Sequence, residues 1–526
     1  MKTIKYVLVI FLFTICVVLF SFLFQNNSFS GYLKFSDAGK FADIARNLVL
    51  GRGFTSNFSF FNANALNLDG FASVAIWISP VMPYLIFLSF KLFGISDFAV
   101  ILVSAINFVF LAAALYFLGN KLIGRLVGAL SVIAIIFNLD FLNYASSGAA
   151  EPLFSFQIIL ATYLLIIRNK WSNVVAFTVL ILMYFTRPQA IIYVVILIFL
   201  YFLLNYPVKK ALGYFLVLCF IGSVIFVTTS LQGKQGLYAV TQILPGQSPS
   251  DALRGAVYDV NIAMVIKKVF YNIYNFYKAL PQVASPYLWG LFAISIFRWK
   301  KDKVYNAVKI VSILMVVLVF LTTAVTIPFF RYIHPVVPLV YLFAVDALVW
   351  IITKITEDMK KNGFDIDKKR YIYISIIILM MFFVVGNTLG VIFLDSRFKS
   401  KTVNIGKHPI YVQLSWRLKE ITEENDVIVT NLDTWGSWYG ERKTVWYPLE
   451  PDMLVSHAGK DNPFDAIYLT SYLMDDENYY MGEEWRKIFE DGSALDGYEL
   501  ESEFKIDSKD TYENTDARAV LLRRVE

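Results

Sequence analysis

The sequence is short of cysteine, histidine and charge, and each shortage excludes a class of protein. Its 526 residues include two cysteines and three histidines. Cys16 and Cys219 both lie inside apolar runs, so neither a disulfide framework nor a cysteine metal site is expected. The histidines are too few and too scattered for a standard metal site. Charged residues make up 17% of the chain, against about 25% in a soluble domain, which argues against a cytosolic enzyme.

Long apolar runs occupy much of the chain instead. Hydrophobic residues make up 57% of it, and several runs approach or exceed the ~20 residues that cross a bilayer. The first run exceeds the core of a signal peptide and lacks a clear cleavage site, so we expect a retained span. The sequence thus predicts an all-α polytopic membrane protein with spans at about residues 5–24, 98–118, 126–142, 152–167, 172–186, 189–204, 211–230, 285–298, 304–327, 332–353 and 371–392.

The uneven charge predicts two domains and an orientation. Residues 1–397 carry 32 basic and 15 acidic side chains, net +17, whereas residues 398–526 carry 15 and 26, net −11. The basic residues concentrate in alternate short loops, which places the N-terminus in the cytoplasm. The loops at 25–97 and 231–284 and the acidic tail are then extracytoplasmic. The segment Pro80–Phe93 is too short for a span and is predicted to be interfacial or re-entrant. The basic charge needs no nucleic-acid partner, because loop orientation and anionic membrane lipids explain it.

The acidic tail alternates helical and extended patterns, typical of a small α/β domain. We predict a helix over Tyr411–Thr422 and strands over Asp426–Thr430, Lys443–Tyr447, Asp465–Leu469, Tyr498–Phe504 and Ala517–Arg523.

The first outer loop predicts an amphipathic helix that presents an acid. Ser36 is a plausible N-cap, Asp37 follows it, and Gly51 ends the helix. Because the helix follows a span, we expect it to lie flat on the membrane surface. Asp37 there is either a candidate catalytic acid or simply a first-turn acid that favours the helix dipole. The apolar face of the predicted helix is formed by Phe41, Ile44, Ala45 and Leu48.

Further ionisable residues fall on the same predicted face of the membrane. Arg187 and Arg331 are the basic residues of the short outer loops, against the general charge gradient. Arginines at span ends are usually anchors, but arginine also binds phosphate bidentately. With Lys40, Asp37 and Glu151 they could form an anion site with an acid–base partner. Weaker acidic candidates are Asp43, Asp69 and Asp140; Asp346 is expected to join helices.

Several short motifs occur in an order that resembles the GT-C glycosyltransferases. The nearest branch is that of protein O-mannosyltransferases and lipid A aminoarabinose transferases, and the likeness covers most of residues 1–345. Trp435–Tyr439 also resembles the exterior domain of bacterial and archaeal members. The motifs are Ser36–Leu48 with Gly51-Arg52-Gly53-Phe54, Trp77–Tyr84 with Lys91–Gly94, Tyr144–Phe154, Thr186-Arg187-Pro188-Gln189, and Phe330-Arg331-Tyr332 with Pro335 and Pro338.

The resemblance implies transfer of a sugar, with inversion, from a polyprenyl-phosphate donor on the extracytoplasmic face of the plasma membrane. Asp37 would be the catalytic base, and Glu151, which matches a second family acid, would be a second catalytic residue that orients the acceptor or Asp37 itself. Ala38 departs from the pattern, because protein O-mannosyltransferases typically carry two adjacent acids there. The acceptor therefore stays open between a lipid, a protein and a cell-envelope glycan.

The substrate-binding set and the cofactor follow from the same chemistry. The leaving lipid phosphate needs fixed cations rather than protonation. Asp37 and Glu151 could hold a divalent ion, but we expect a mechanism without a metal or other cofactor. The predicted substrate-binding residues are Lys40, Arg187, Arg331, Tyr332 and His334.

Two other function classes are compatible with the spans. A transporter or lipid flippase with an extracytoplasmic accessory domain is the main alternative, although transporters tend to show internal repeats and ionisable residues at the bilayer midplane. A structural or regulatory membrane protein would leave the acids and arginines of the outer face unexplained.

Overall fold

The structure is a computed structural model. Most of the first predicted span, residues 234–253 and 255–260 of the loop at 231–284, and Asp69 lie outside the residues that the structure describes. The described residues are 10–11, 13–17, 32–61, 78–233, 254, 261–362, 368–386, 407–454, 464–476, 479–492 and 495–525.

Helices dominate the described part of the chain. In chain order they are α1 (Ser36–Val49), α2 (Val81–Phe93), α3 (Asp97–Leu122), α4 (Arg125–Ile136), α5 (Leu139–Ala145), α6 (Glu151–Ile167), α7 (Lys170–Thr186), α8 (Ala190–Asn205), α9 (Val208–Gly233), α10 (Ile262–Val283), α11 (Pro286–Ile296), α12 (Lys303–Val325), α13 (Val337–Lys361), α14 (Lys368–Met380), α15 (Ile410–Ile421), α16 (Trp435–Trp438) and α17 (Glu483–Asp491). The 3₁₀ turns Phe330–Tyr332 and His334–Val336 precede α13.

The chain divides into two compact units. The second unit contains the first outer loop as well as the acidic tail. The domain division predicted from charge, 1–397 and 398–526, stays a prediction. The first unit comprises residues 1–25, 104–237 and 266–399, and the second comprises residues 26–103, 238–265 and 400–526.

Three described helices are long and apolar enough to cross a membrane. They are α3, α12 and the continuous stretch Phe330–Lys361, and the bent pairs α4–α5 and α10–α11 raise the number to five if each pair is one span. Helices α6, α7 and α8 have 16 or 17 residues, which falls short of the ~20 that a span requires. Helices therefore occupy most of the predicted positions, but eleven spans stay a prediction.

Two glycines bring α3 and α4 close together. A Cβ on Gly119 would lie 2.7 Å from the Cα of Gly128, and a Cβ on Gly128 would lie 2.9 Å from the carbonyl oxygen of Tyr116. Small residues allow such close approach of helix backbones in an apolar environment.

The second unit contains a six-stranded mixed sheet. Its strand order is β1-β3-β2-β4-β6-β5; β1, β3, β2 and β4 pair in parallel, and β6 pairs antiparallel with both β4 and β5. The five tail strands match the predicted positions, whereas β1 comes unpredicted from the first outer loop. The strands are β1 (Phe58–Phe60), β2 (Val427–Thr430), β3 (Lys443–Trp446), β4 (Ala466–Thr470), β5 (Tyr498–Ile506) and β6 (Ala517–Arg524).

The start of helix α1 differs from the prediction by one residue, whereas its end agrees. Its N-cap is Phe35, which provides no side-chain hydrogen bond, so the cap predicted at Ser36 is wrong by one residue. Its end before Gly51, which has φ +76°, agrees with the prediction. Residues 38–47 are all buried, polar ones included. Helix α1 packs against α2 and α16 within the second unit, and its position flat on the membrane surface stays a prediction.

Candidate active site

Asp37 and Lys40 lie on consecutive turns of α1, close to a tail residue. The Asp37 side chain is 29% exposed, and the Lys40 Nζ lies 4.0 Å from its Oδ1. On the other side, the same Nζ lies 3.8 Å from Oδ1 of Asp433. The ammonium also lies 4.6 Å from the ring centroid of Phe60, in a cation–π contact. The structure thus brings Lys40 to Asp37, as predicted, and adds a second carboxylate.

Asp433 is a site residue that the sequence did not single out. It follows β2, is buried, and has a left-handed φ of +53°. The Tyr479 hydroxyl donates to its Oδ2 at 3.4 Å. Burial and the Asp433 carboxylate raise the pKa of Tyr479 well above its ordinary value, so this phenol stays a donor. The available signal was an acid three residues after the end of a predicted strand, which on its own is too common to interpret.

Gly39 allows the first outer loop to approach the tail closely. A Cβ at this position would lie 2.6 Å from Oγ1 of Thr434 and 3.3 Å from the ring of Trp435. The Thr434 hydroxyl donates to the backbone oxygen of Ser36 at 3.0 Å. A glycine is therefore required two residues after Asp37 for steric reasons.

Asp43, a weaker candidate, is enclosed in the fold. Its side chain is fully buried, and Arg46 donates to its Oδ1 at 2.6 Å. Its Oδ2 accepts from the Ser56 hydroxyl at 2.8 Å and from the Asn57 backbone N–H at 2.5 Å. These contacts tie α1 to the chain that leads into β1, which indicates a structural residue.

The aromatic motif of the tail also contacts the first outer loop. The Trp438 Nε1 donates to Oδ1 of Asp97 at 2.7 Å, and the Tyr439 hydroxyl donates to its Oδ2 at 2.9 Å. The Leu33 backbone N–H donates to that same hydroxyl at 2.9 Å. Asp97, which sequence reasoning missed, thereby fixes both aromatic residues of the motif.

Glu151 and Arg187 form a buried ion pair in the first unit. Glu151 begins α6, and Arg187 follows the last residue of α7. The two helices are joined by a short turn and pack together, so the start of one meets the end of the other. The Arg187 Nη2 donates to Oε1 of Glu151 at 2.5 Å, and the side chains are 11% and 2% exposed. The sequence predicted both residues but not that they pair.

His334 joins a second polar group in the first unit. It is 2% exposed, and its Nε2 lies 2.7 Å from Oδ2 of Asp140. Its Nδ1 lies 3.4 Å from the Tyr144 hydroxyl and 3.2 Å from the Phe330 backbone oxygen. Asp140, a weaker candidate in the sequence, is therefore a direct partner of a predicted binding residue.

Arg331 and Tyr332 lie in the short turn before His334. The Arg331 guanidinium is 5.3 Å from the Phe329 ring centroid and 5.7 Å from that of Tyr332. The Tyr332 backbone oxygen accepts from the Tyr193 hydroxyl at 3.3 Å. Aromatic faces stabilise a guanidinium through cation–π contacts.

The predicted residues are distributed over both units. Asp37 and Lys40 belong to the second unit, and the remaining predicted site residues belong to the first. Their convergence in one site stays a prediction. The predicted residues of the first unit are Glu151, Arg187, Arg331, Tyr332 and His334.

Two further expectations concern metals and Asp346. Among the described residues, no group of three or more histidine, cysteine or acidic side chains could hold a metal ion; the metal-free mechanism stays a prediction.

Asp346 joins helices as expected. Arg298 and Tyr305 donate to its Oδ2 at 2.7 and 2.6 Å, and Lys300 donates to its Oδ1 at 3.2 Å.

Comparison with known proteins identifies the fold. No family model matches the sequence, and no curated protein matches it. Among solved structures, the archaeal oligosaccharyltransferase AglB from Archaeoglobus fulgidus, in complex with an inhibitory peptide and a dolichol-phosphate, matches with a TM-score of 0.57 at 11% identity. The match covers 96% of this chain and 74% of AglB, which is a GT-C glycosyltransferase. The chain has the GT-C fold.

Other structures of the same fold also match. The apo form of the Archaeoglobus fulgidus enzyme has a TM-score of 0.55 at 12% identity, covering 90% of this chain and 70% of that one. ArnT from Cupriavidus metallidurans bound to undecaprenyl phosphate has a TM-score of 0.49 at 11% identity, with 98% of each chain covered; we draw no conclusion from this weaker likeness. At these identities the GT-C resemblance seen in the sequence is confirmed for the fold alone.

Proposed function

We propose that the chain is a membrane glycosyltransferase that moves a sugar from a polyprenyl-phosphate donor to an acceptor on the extracytoplasmic face. The observation that carries the proposal is the GT-C fold, which extends over 96% of the chain in the AglB match. That AglB structure holds a dolichol-phosphate and an inhibitory peptide. A lipid phosphate as leaving group also suits the arginines that the sequence places in the short outer loops.

Asp37 is the proposed general base. The acceptor hydroxyl oxygen attacks the anomeric carbon while the bond from that carbon to the phosphate oxygen breaks. The electron pair leaves with the polyprenyl phosphate, the hydroxyl proton passes to the Asp37 carboxylate, and the anomeric configuration inverts. A partly exposed carboxylate on a buried helix supports this role, because the helix fixes its position while the side chain stays accessible.

Arg187 and Arg331 are the proposed phosphate-binding residues. The departing phosphate keeps its charge, so fixed cations stabilise the transition state. Glu151 would hold the Arg187 guanidinium in place, in addition to its predicted role of orienting the acceptor or Asp37. Tyr332 and His334 would line the same side of the substrate.

The acceptor and the sugar define separate arms of the test. Protein O-mannosyltransferases carry a second acid at the position of Ala38. Its absence here weighs against proposing a protein acceptor by analogy with that branch. We therefore propose a hydroxyl acceptor and assay lipid, protein and cell-envelope glycan acceptors in parallel, each with hexosyl and pentosyl donors.

The decisive experiment is reconstitution of the full chain in vesicles with radiolabelled polyprenyl-phosphate sugars. We expect the wild type to release the sugar from the lipid and Asp37→Asn to lose this activity. Asp496→Asn, which removes an exposed carboxylate elsewhere in the second unit, is the matched control and should retain it. Equal activity of wild type and Asp37→Asn would refute the proposed base. Uptake of label into sealed vesicles without transfer would instead support the transporter alternative.

A further inference from the structure

We propose that Asp433 of the tail is a positioning residue that shares the Lys40 ammonium with Asp37 and thereby maintains Asp37 as an effective base. The inference rests on the proposed function, and it concerns a residue that neither the sequence motifs nor the resemblance assigned. It would make the tail part of the active site rather than a passive cover.

The first support is the position of Lys40 between two carboxylates. Its Nζ lies 4.0 Å from Oδ1 of Asp37 and 3.8 Å from Oδ1 of Asp433. The Lys40 side chain is 10% exposed, so water screens these interactions only in part. Two carboxylates and one ammonium leave the group with one net negative charge.

The second support is how the fold holds Asp433. Its side chain is 4% exposed, and its φ of +53° is unfavourable for residues other than glycine, asparagine and aspartate. Its Oδ2 accepts from the Tyr479 hydroxyl, whereas its Oδ1 makes no hydrogen bond within the described part of the chain. A buried carboxylate requires a partner, and the ammonium of Lys40 is the charge that faces this oxygen.

The consequence for Asp37 follows from Coulomb's law. A nearby cation lowers the proton affinity of a carboxylate and so weakens it as a base. Because Asp433 offsets the charge of Lys40, that effect on Asp37 is reduced. If Asp433 loses its charge, the attraction of Lys40 acts on Asp37 alone.

Several neighbouring charges among the described residues have contacts of their own. On α1 the next charged pair is Asp43 with Arg46, which bind each other at 2.6 Å. Helix α2 contributes Lys91, whose ammonium lies over the Phe87 ring of its own helix. Helix α16 carries no charged side chain. Tyr479 approaches from the tail, where it binds Asp433 and its hydroxyl remains protonated.

The test is the pH dependence of sugar release in four proteins: wild type, Asp433→Asn, Lys40→Gln and the double variant. We expect Asp433→Asn to lower the rate and to move the acidic limb of the profile to lower pH. Two charges ~6 Å apart in water would give about half a unit, and the shift should be at least this large because water screens these charges only in part. Lys40→Gln should move the same limb to higher pH. The double variant should lie close to the wild type.

A purely structural role for Asp433 predicts a different result. It would lower the rate or the unfolding temperature without moving the limb, and the Lys40 variant would not compensate. Asparagine accepts a left-handed φ, so Asp433→Asn should fold, and its unfolding temperature checks this. An unmoved limb, or limbs that move in the same direction in both single variants, would overturn the proposal.

A second measurement separates this inference from the proposed function. The carboxylates of wild type and Asp37→Asn are titrated by infrared spectroscopy without substrate. The difference between the two titrations reports the protonation of Asp37. Repeating it in the Asp433→Asn background should show protonation at lower pH. If the wild type releases no sugar but this shift is present, the proposed function fails and the pairing stands. If sugar is released and the shift is absent, the pairing fails alone.

Discussion

Replacement of Asp43 by asparagine should destabilise the second unit strongly, although the side chain lies only two helical turns from the proposed base. The carboxylate is fully buried and accepts hydrogen bonds from Arg46, Ser56 and Asn57. Asparagine keeps an acceptor but removes the charge, so the buried Arg46 guanidinium loses its counter-charge. Breaking a buried ion pair in this way costs about 3–5 kcal/mol.

That cost can be read as an unfolding temperature. A unit of this size loses roughly 2–4 °C per kcal/mol, so we expect the purified Asp43→Asn protein to unfold about 10 °C below the wild type. Asp37→Asn removes a partly exposed carboxylate and should unfold within about 2 °C of the wild type while losing transfer. The two neighbouring acids thus separate stability from chemistry.

Two results would refute this reasoning. Normal unfolding of Asp43→Asn would mean that the ion pair does not support the fold. Normal unfolding with lost transfer would make Asp43 a catalytic candidate again. Adding Arg46→Met tests the mechanism further, because it removes the unpaired guanidinium. The double variant should therefore lose less stability than the two single variants lose together.

Three further outcomes are expected. Gly39→Ala should lower the unfolding temperature by an overpacking cost of about 1–3 kcal/mol, and Thr434→Ala should relieve part of it, since the added methyl would meet the Thr434 hydroxyl; thermal unfolding of the single and double variants checks this. Glu151→Gln should weaken binding of polyprenyl phosphate, because Arg187 loses the carboxylate that holds its guanidinium in place, and should lower the unfolding temperature, because the buried Arg187 charge is left unpaired; a lipid-binding titration measures the first effect. Burial raises the pKa of Tyr439 well above its ordinary value of 10; the folded state thus holds this proton more tightly than the unfolded state, and stability should fall as the pH rises through 10. The tyrosinate absorbance of wild type minus Tyr439→Phe should show no ionisation at pH 10 while the protein is folded.

Local patterns predicted much of the second unit. The helix predicted over Tyr411–Thr422 is α15, Ile410–Ile421, and each predicted tail strand appears within one or two residues. The end of α1 before Gly51 was predictable because a left-handed residue commonly follows a helix. These features depend on periodicity and on residues a few positions apart, which a sequence displays directly.

Contacts between distant segments could not be predicted in the same way. Glu151 and Arg187 were both candidates, yet their pairing depends on how α6 and α7 pack. Asp433 is one acid among 26 in the tail, and only the position of Lys40 distinguishes it. The amphipathic pattern of α1 likewise did not indicate that its polar residues are buried, because some of their partners lie nearly 400 positions away, as in the bond from Arg46 to the Ser437 backbone oxygen.

The edge strand β1 has a consequence for how the sheet is completed during synthesis. Phe58–Phe60 is translated early, but its pairing partner Lys443–Trp446 emerges more than 380 residues later. The early strand must therefore wait unpaired while the intervening chain is inserted. Conversely, a tail produced alone would present the unoccupied side of β3 as a template for intermolecular pairing. A soluble fragment for biophysical work should for this reason carry residues 32–61 joined to the tail.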